Sequence, residues 1–268
     1  MRGILLAGGN ATRLHPCTKT ISKHLLPVYD KPMIHYPLST LMLAGITEIL
    51  IISTRRHTWQ YEEALGDGHE LGIKICYKEQ MRPAGLPEAF LIGEDFIGDE
   101  NVCLVLGDNI FYANNLTDLL EEGVRIVEAH LSGAHVWGYE VSDARRYGVL
   151  RFLEDNRFEV VEKPKDPPTN YAVPGIYFFD NTVAKMAKRL KPSARGELEI
   201  ADLINTYSRR GFGSVDLIGR GMTWLDAGTF DSLLDAAQFV QTIQRRTGLR
   251  IGDIKETAQF MGYIQTSE

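Results

Sequence analysis

What this 268-residue chain has little of narrows its function. It has only 3 cysteines, Cys17, Cys76 and Cys103, an odd number with no C-x-x-C spacing, which leaves neither a disulfide framework nor a zinc knuckle. Free thiols of this kind pack like small apolar side chains and are expected to be buried. None of the 7 histidines (His15, His24, His35, His57, His69, His130, His135) pairs with another as H-x-x-x-H, so that metal signature is missing and they read as surface or loop residues. No apolar run approaches the roughly 20 residues of a membrane-spanning helix. The start passes straight into Gly3-Ile4-Leu5-Leu6-Ala7 without a signal-peptide layout, so a cytoplasmic protein is expected. Positive charge is in the minority, 29 Lys+Arg against 35 Asp+Glu for a net −6, and no long Lys/Arg cluster occurs. That balance argues against a nucleic-acid backbone or a membrane surface as partner, and any bound anion must be met by a few placed cations. There is no low-complexity tract and no six-residue repeat that would add a solenoid domain.

With 44% hydrophobic and 24% charged residues, the chain has the composition of a globular protein with a sizeable core. Short β-branched runs alternate with helical patterns through the first half, the signature of βαβ units and a mostly parallel sheet. Strands are expected at Gly3–Ala7, Glu48–Ser53, Lys74–Lys78 and Val102–Leu106. Helices are expected at Met33–Ala44, Trp59–Leu65 and Leu86–Ile92, each followed by glycine, and a further helix capped by Thr117 runs to Ala129. Beyond it, longer alternating runs at Ala134–Val141, Val149–Leu153, Phe158–Val161 and Ala172–Phe179 predict a mixed or antiparallel extension. The segment Lys163-Pro164-Lys165-Asp166-Pro167-Pro168 reads as a loop. Helices return at Asn181–Leu190, Leu198–Tyr207 and Phe230–Gln244, with a strand at Ser214–Ile218. The expected class is therefore α/β, a Rossmann-like central sheet flanked by helices with a mixed-sheet extension. The chain is read as a single domain, residues 1–268, whose parts are 1–130, 131–230 and a helical 231–268.

Leu6-Ala7-Gly8-Gly9-Asn10-Ala11-Thr12-Arg13-Leu14 follows the first strand directly. Glycines there let backbone N–H groups approach a phosphate, and Arg13 adds a forked cation; a purely structural turn is the other reading. Neither a P-loop nor G-x-G-x-x-G is present, which disfavours a nicotinamide oxidoreductase. In Ser22-Lys23-His24-Leu25-Leu26-Pro27, Lys23 is either a solvated surface charge or a second cation on the same anion. Asp108, in Leu104-Val105-Leu106-Gly107-Asp108-Asn109, ends an apolar strand, where a carboxylate facing phosphates requires a divalent cation between them; a turn cap is the alternative. Asp226, in Trp224-Leu225-Asp226-Ala227-Gly228-Thr229, would complete a carboxylate pair. Glu162-Lys163-Pro164 and Ser193-Ala194-Arg195-Gly196-Glu197-Leu198-Glu199 either bind a sugar and its phosphate or, for the two glutamates, favour a helix N-terminus.

Taken in order, these segments together with Gln80 to Phe90 resemble the sugar-1-phosphate nucleotidyltransferase family, most of all its short glucose-1-phosphate thymidylyltransferases, from Met1 to about Ile264. The resemblance implies Mg²⁺ and a homo-oligomer, dimer or tetramer. It places Leu6, Gly8, Gly9, Ala11, Thr12, Arg13, Lys23, His24, Gln80, Pro83, Gly85 and Asp108 around the nucleotide. It places Gly138, Tyr139, Glu162, Lys163, Val173, Tyr177 and Arg195 around the sugar phosphate, with Asp108 and Asp226 as metal ligands. Arg13, Lys23, Asp108, Lys163 and Asp226 would carry the reaction, a transfer of a nucleotidyl group from a nucleoside triphosphate to a sugar 1-phosphate. The chain departs from the family in having Ala11 for Gly, His24 for Gln, and Arg82 in the base-facing segment. The expected pair is dTTP and glucose 1-phosphate, with UTP or a purine triphosphate as alternatives; a non-catalytic nucleotide-sugar binder is the rival class. Ala113-Asn114-Asn115 stands where the family commonly has Gly-His-Gly, and the chain ends soon after Met261-Gly262-Tyr263-Ile264, so a second, regulatory nucleotide site is expected to be absent or remodelled.

Overall fold

A computed structural model describes residues 1–130, 132–154 and 157–265. The chain sorts into two compact units, each assembled from separated stretches. A central unit comprises Met1–Arg2, Pro83–Leu104 and Glu121–Gly221; an N-terminal unit comprises Gly3–Arg82, Val105–Leu120 and the chain from Met222 on. Residues 83–104 and 121–130 thus cluster with the sugar-side motifs, and the C-terminal helices with the glycine loop.

In the N-terminal unit, the runs Arg2–Ala7 and Glu48–Thr54 become strands buried along most of their length, as continuous Ile/Leu implies, while Lys74–Gln80 is buried only at Ile75 and Gln80. Arg2–Ala7, Glu48–Thr54 and Lys74–Gln80 lie parallel, with Gly3 opposite Ile49 and Glu48 opposite Lys74. The helices His35–Leu43 and Thr58–Leu65 cover them in sequence, the second closing on Gly66 at φ 59°. Phe230–Thr247 opens on a reciprocal cap, in which the Thr229 hydroxyl accepts from Ser232 N–H and the Ser232 hydroxyl from Thr229 N–H. Its Ala236 and Val240 pack with Val28, Met33, Tyr36, Ile110, Ala227 and Ile251. A short antiparallel ribbon joins Asn109–Tyr112 to Thr223–Asp226, setting Asp226 opposite Asn109.

In the central unit, Ala134–Glu140 runs parallel to Gly213–Ile218 and antiparallel to Ile176–Phe179 and Tyr171–Ala172. Gly148–Phe152 and Phe158–Glu162 pair antiparallel. Asn205, on the helix Ile200–Arg209, accepts from Val160 N–H and donates to Val160 C=O, which fixes that helix against the sheet. The α/β class holds: a parallel sheet with helices in one unit, a mixed sheet with helices in the other. Among the described residues no helix is long and apolar enough to cross a membrane.

Several local expectations are corrected. The run Ala172–Phe179 is two strands, Tyr171–Ala172 and Ile176–Phe179, because Pro174 between them has no N–H for a ladder. The helix Leu116–Glu128 already includes Thr117, which therefore does not cap it. The helix expected at Asn181–Leu190 is only Val183–Ala187. Cys17 is exposed, whereas Cys103 is buried and its thiol is pushed up by burial. His24 and His135 are core residues, at 2% and 0% exposure.

Candidate active site

The glycine loop begins where the first strand ends. Leu6 C=O accepts from Gly107 N–H at 2.9 Å, which sets the two strand ends side by side. Gly8 lies so close to Gln80 that a Cβ would meet Oε1 at 2.3 Å. Gly9 has φ 91°, and Ala11 is left-handed at φ 47°, ψ 36°, a conformation that a Cβ disfavours. The glycine that the resemblance implies at this place would relieve that backbone conformation. A 3₁₀ turn, Thr12–Leu14, follows, with Thr12 and Arg13 exposed and Leu14 buried. A Cβ on Gly228 would come within 3.3 Å of the Arg13 guanidinium, so Arg13 reaches back to the turn that follows Asp226.

Lys23 and Asp108 form an ion pair, their side chains 13% and 18% exposed. Burial would raise the Asp108 carboxyl, but the Lys23 charge and the hydrogen bonds from Lys23 and Asn109 hold it well below the usual carboxylate range. Asn109 aligns the site: its Nδ2 donates to Asp108 at 2.9 Å and its Oδ1 accepts from Trp224 Nε1 at 2.6 Å. Ala227 N–H donates to Asp108 C=O at 2.9 Å. Asp108 and Asp226 are therefore carried on adjacent ends of one paired ribbon. Two hard carboxylates in such a place suit Mg²⁺, which takes one or two carboxylates, waters and substrate phosphates rather than a full protein cage. His24 sits beneath, its Nδ1 3.1 Å from Tyr61 Oη and its ring where a Cβ on Gly107 would strike at 2.7 Å. Burial, then Lys23, lowers its pKa to about 3, so it is neutral. Its ring is thus buried and packed against Gly107.

The central unit holds the other group. Gly85, at φ 106°, lies against Leu198, where a Cβ would be 2.0 Å from Leu198 O, and Leu198 N–H donates to Ala84 C=O at 2.8 Å. Pro83 is exposed beside it. Glu162 meets Lys163 Nζ at 3.2 Å and Arg195 Nη2 at 3.3 Å. Lys163 has φ 43° and gives its N–H to Tyr147 C=O. Val173 N–H donates to Gly148 C=O, and Gly148 pairs with Glu162. Gly148 therefore stands opposite Glu162 in the sheet. Gly138 instead makes room for Leu150 and Leu217, which a Cβ would meet at 2.5 and 2.7 Å. Tyr139 pairs with Ala172, and Tyr177 is 4% exposed in the core.

In the N-terminal unit a cavity of about 180 Å³ is lined by Tyr36, Tyr112, Ala113, Asn114, Arg250 and Glu256 among others, so the Ala113-Asn114 segment borders a cavity.

A nucleotidyl transferase family model matches residues 2–243. The glucose-1-phosphate thymidylyltransferase of Neisseria gonorrhoeae is 51% identical over 265 residues, 98% of this chain and 91% of that protein. That of Mycolicibacterium smegmatis is 49% identical over 269 residues, 100% and 92% of the two. Among solved structures, a candidate glucose-1-phosphate thymidylyltransferase from Bacillus anthracis superposes with TM-score 0.81 at 40% identity, over 89% of this chain and 94% of that one. A UDP-glucose pyrophosphorylase bound to UDP-glucose gives TM-score 0.77 at 25% identity, over 90% and 98%. With the glycine loop, the Lys23–Asp108 pair and the Asp226 turn gathered in one unit, and a family match over nearly the whole length, this chain belongs to the nucleotidyl transferase family.

Proposed function

We propose that the enzyme transfers a thymidylyl group from dTTP to the phosphate of glucose 1-phosphate, releasing pyrophosphate and forming the nucleoside-diphosphate sugar. The observation that carries this reading is the alignment of Lys23, Asp108 and Asp226 by Asn109, beside a glycine loop whose Arg13 reaches the same turn. A sugar phosphate loses its second proton near pH ~6, by analogy with phosphorylated side chains, so the attacking oxygen needs no dedicated base. That oxygen bonds to the α-phosphorus as the bond from the α-phosphorus to the α,β-bridging oxygen breaks in line, and the bridging oxygen leaves as a terminal oxygen of pyrophosphate. Arg13 and Lys23 neutralise the triphosphate, and Lys163 and Arg195 hold the incoming phosphate, so the protein's share is positioning and charge compensation. Asp108 and Asp226 would hold Mg²⁺, which when bound supplies further charge neutralisation at the phosphates. Gln80, 4% exposed and seated against Gly8, is the base-reading candidate with Gly85. A cytoplasmic homo-oligomer is the setting we assign to it.

The thymidylyltransferase relatives at about half identity favour dTTP and glucose 1-phosphate. The likeness to a UDP-glucose pyrophosphorylase supports UTP as the second choice. Pyrophosphate release measured over a matrix of nucleoside triphosphates and sugar 1-phosphates tests the proposal. Strongest turnover with dTTP and glucose 1-phosphate is expected; preference for another pair reassigns the substrates, and silence in every well refutes catalysis.

A further inference from the structure

Arg195 is not left to wander on its loop. Its Nε donates to Glu199 Oε1 at 3.2 Å and its Nη2 to Glu199 Oε2 at 2.7 Å, a two-point grip along one edge of the guanidinium. Nη2 also reaches Glu162 at 3.3 Å, while Nη1 makes no hydrogen bond among the described residues. Glu199 is itself fixed. Its side chain is only 12% exposed, and Oε1 accepts from the Ser193 hydroxyl at 2.6 Å. The residue before it, Leu198, is tied through its backbone to Ala84 and lies against Gly85. The loop between closes on itself, with Ser193 N–H on Glu197 C=O at 2.9 Å and Gly196 N–H on Ser193 C=O at 2.8 Å.

An exposed Arg–Glu pair four residues apart would be worth little. Here the carboxylate is mostly buried, its grip has two points, and a third bond anchors the anchor. Burial works to raise the Glu199 carboxyl, but Ser193 and Arg195 more than offset it, so the group is held ionised. We propose that Glu199, braced by Ser193, is a positioning residue that mounts the Arg195 guanidinium with its Nη1 edge presented to the sugar phosphate. A guanidinium fixed in advance loses less rotamer freedom when the phosphate arrives, which lowers KM for that substrate without entering the chemical step. The Leu198 tie sets this mount on the backbone that also carries Gly85, so the base-reading candidate and the phosphate clamp share one support.

The inference rests on reading Arg195 as a phosphate-binding group, and the test separates the two. Steady-state pyrophosphate release would be measured for Glu199→Gln, Ser193→Ala, Arg195→Ala and Glu199→Gln/Arg195→Ala, varying each substrate in turn. Glu199→Gln keeps the shape and removes the charge. It is expected to raise KM for the sugar phosphate about 10-fold, in keeping with loss of a charge-assisted contact, with kcat and triphosphate KM within about 2-fold. Ser193→Ala should give a smaller rise of the same kind. Because Glu199 acts through Arg195, the double variant should be no worse than Arg195→Ala alone. If Arg195→Ala raises KM and Glu199→Gln does not, or if the two effects multiply in the double variant, the positioning role is refuted. An unchanged KM in Arg195→Ala overturns the phosphate reading and this proposal with it.

Discussion

Replacing Asp108 with asparagine should do two separable kinds of damage. The Lys23 ammonium, 13% exposed, would face a neutral amide in place of the carboxylate it now touches, with no other ion pair to an acid among the described residues. Losing one member of a fully buried pair costs about 3–5 kcal/mol, and exposed pairs are worth less than about 1. This pair, with side-chain exposures of 13% and 18%, lies between, at about 2 kcal/mol. For a protein of this size that corresponds to a fall in Tm of roughly 4–8 °C. Lys23→Met in the same background removes the stranded charge and should restore most of the loss. The assay is thermal unfolding of wild type, both single variants and the double variant, without metal or nucleotide. Activity responds differently: each variant that lacks Asp108 should lose about 10³-fold or more in kcat with saturating substrates, because metal charge at the phosphates is worth several kcal/mol. A single Asp108→Asn variant that melts with the wild type, or a double variant whose loss is the sum of the two singles, would show that the pair is not the stabilising contact described.

Gly8→Ala brings a Cβ to within 2.3 Å of Gln80 Oε1; because that atom is the end of a flexible side chain, stability should change by less than about 1 kcal/mol while triphosphate KM rises, and an unchanged KM would remove Gln80 from base reading. Ala11→Gly relieves a left-handed Cβ at φ 47°, so unfolding stability should stay level or rise by up to about 1 kcal/mol, and a clear loss in denaturant melts would contradict the strain argument. His35 is held to a pKa of about 4 in the folded chain, chiefly by burial, against 6.5 when unfolded. The unfolded state therefore takes the proton first, and stability present above pH 6.5 is lost as pH falls towards 4, by at most about 3 kcal/mol from this group. Urea melts across that interval should show a shallower fall for His35→Gln than for wild type; parallel curves refute the assignment. Lys163→Ala should raise sugar-phosphate KM more than it lowers kcat, and an unchanged KM would sever Lys163 from that substrate.

The parallel strands were legible in the sequence because burial on both faces writes itself as uninterrupted apolar runs such as Glu48–Thr54, where all but the ends are buried. The ribbon that joins Asn109–Tyr112 to Thr223–Asp226 was not. Each side has four residues, too few for a period to register, and the pairing spans more than a hundred positions. The burial of His24 was equally hidden: a histidine in a polar loop reads as solvated, and only the approach of Gly107 and Tyr61 from distant segments encloses it. Gly107 and Asn109 carried the available signal, one as the glycine that lets His24 and Leu6 come close, the other as the amide that spans Asp108 and Trp224.

The same contrast separates the two halves of the site chemistry. Charged residues that stand next to a glycine turn, Arg13, Asp108 and Asp226, announce themselves by local context, since a strand end followed by glycine is where backbone and side chains can both reach a phosphate. Glu199 does not. Beside a helix start it has a sufficient local explanation in the helix dipole, and it is the N-cap residue of Ile200–Arg209, yet its side chain makes no capping hydrogen bond. It turns back to Ser193 and Arg195 instead. A carboxylate that forgoes the cap open to it, and holds a cation at the surface, is better explained by what the cation must do than by the helix it begins.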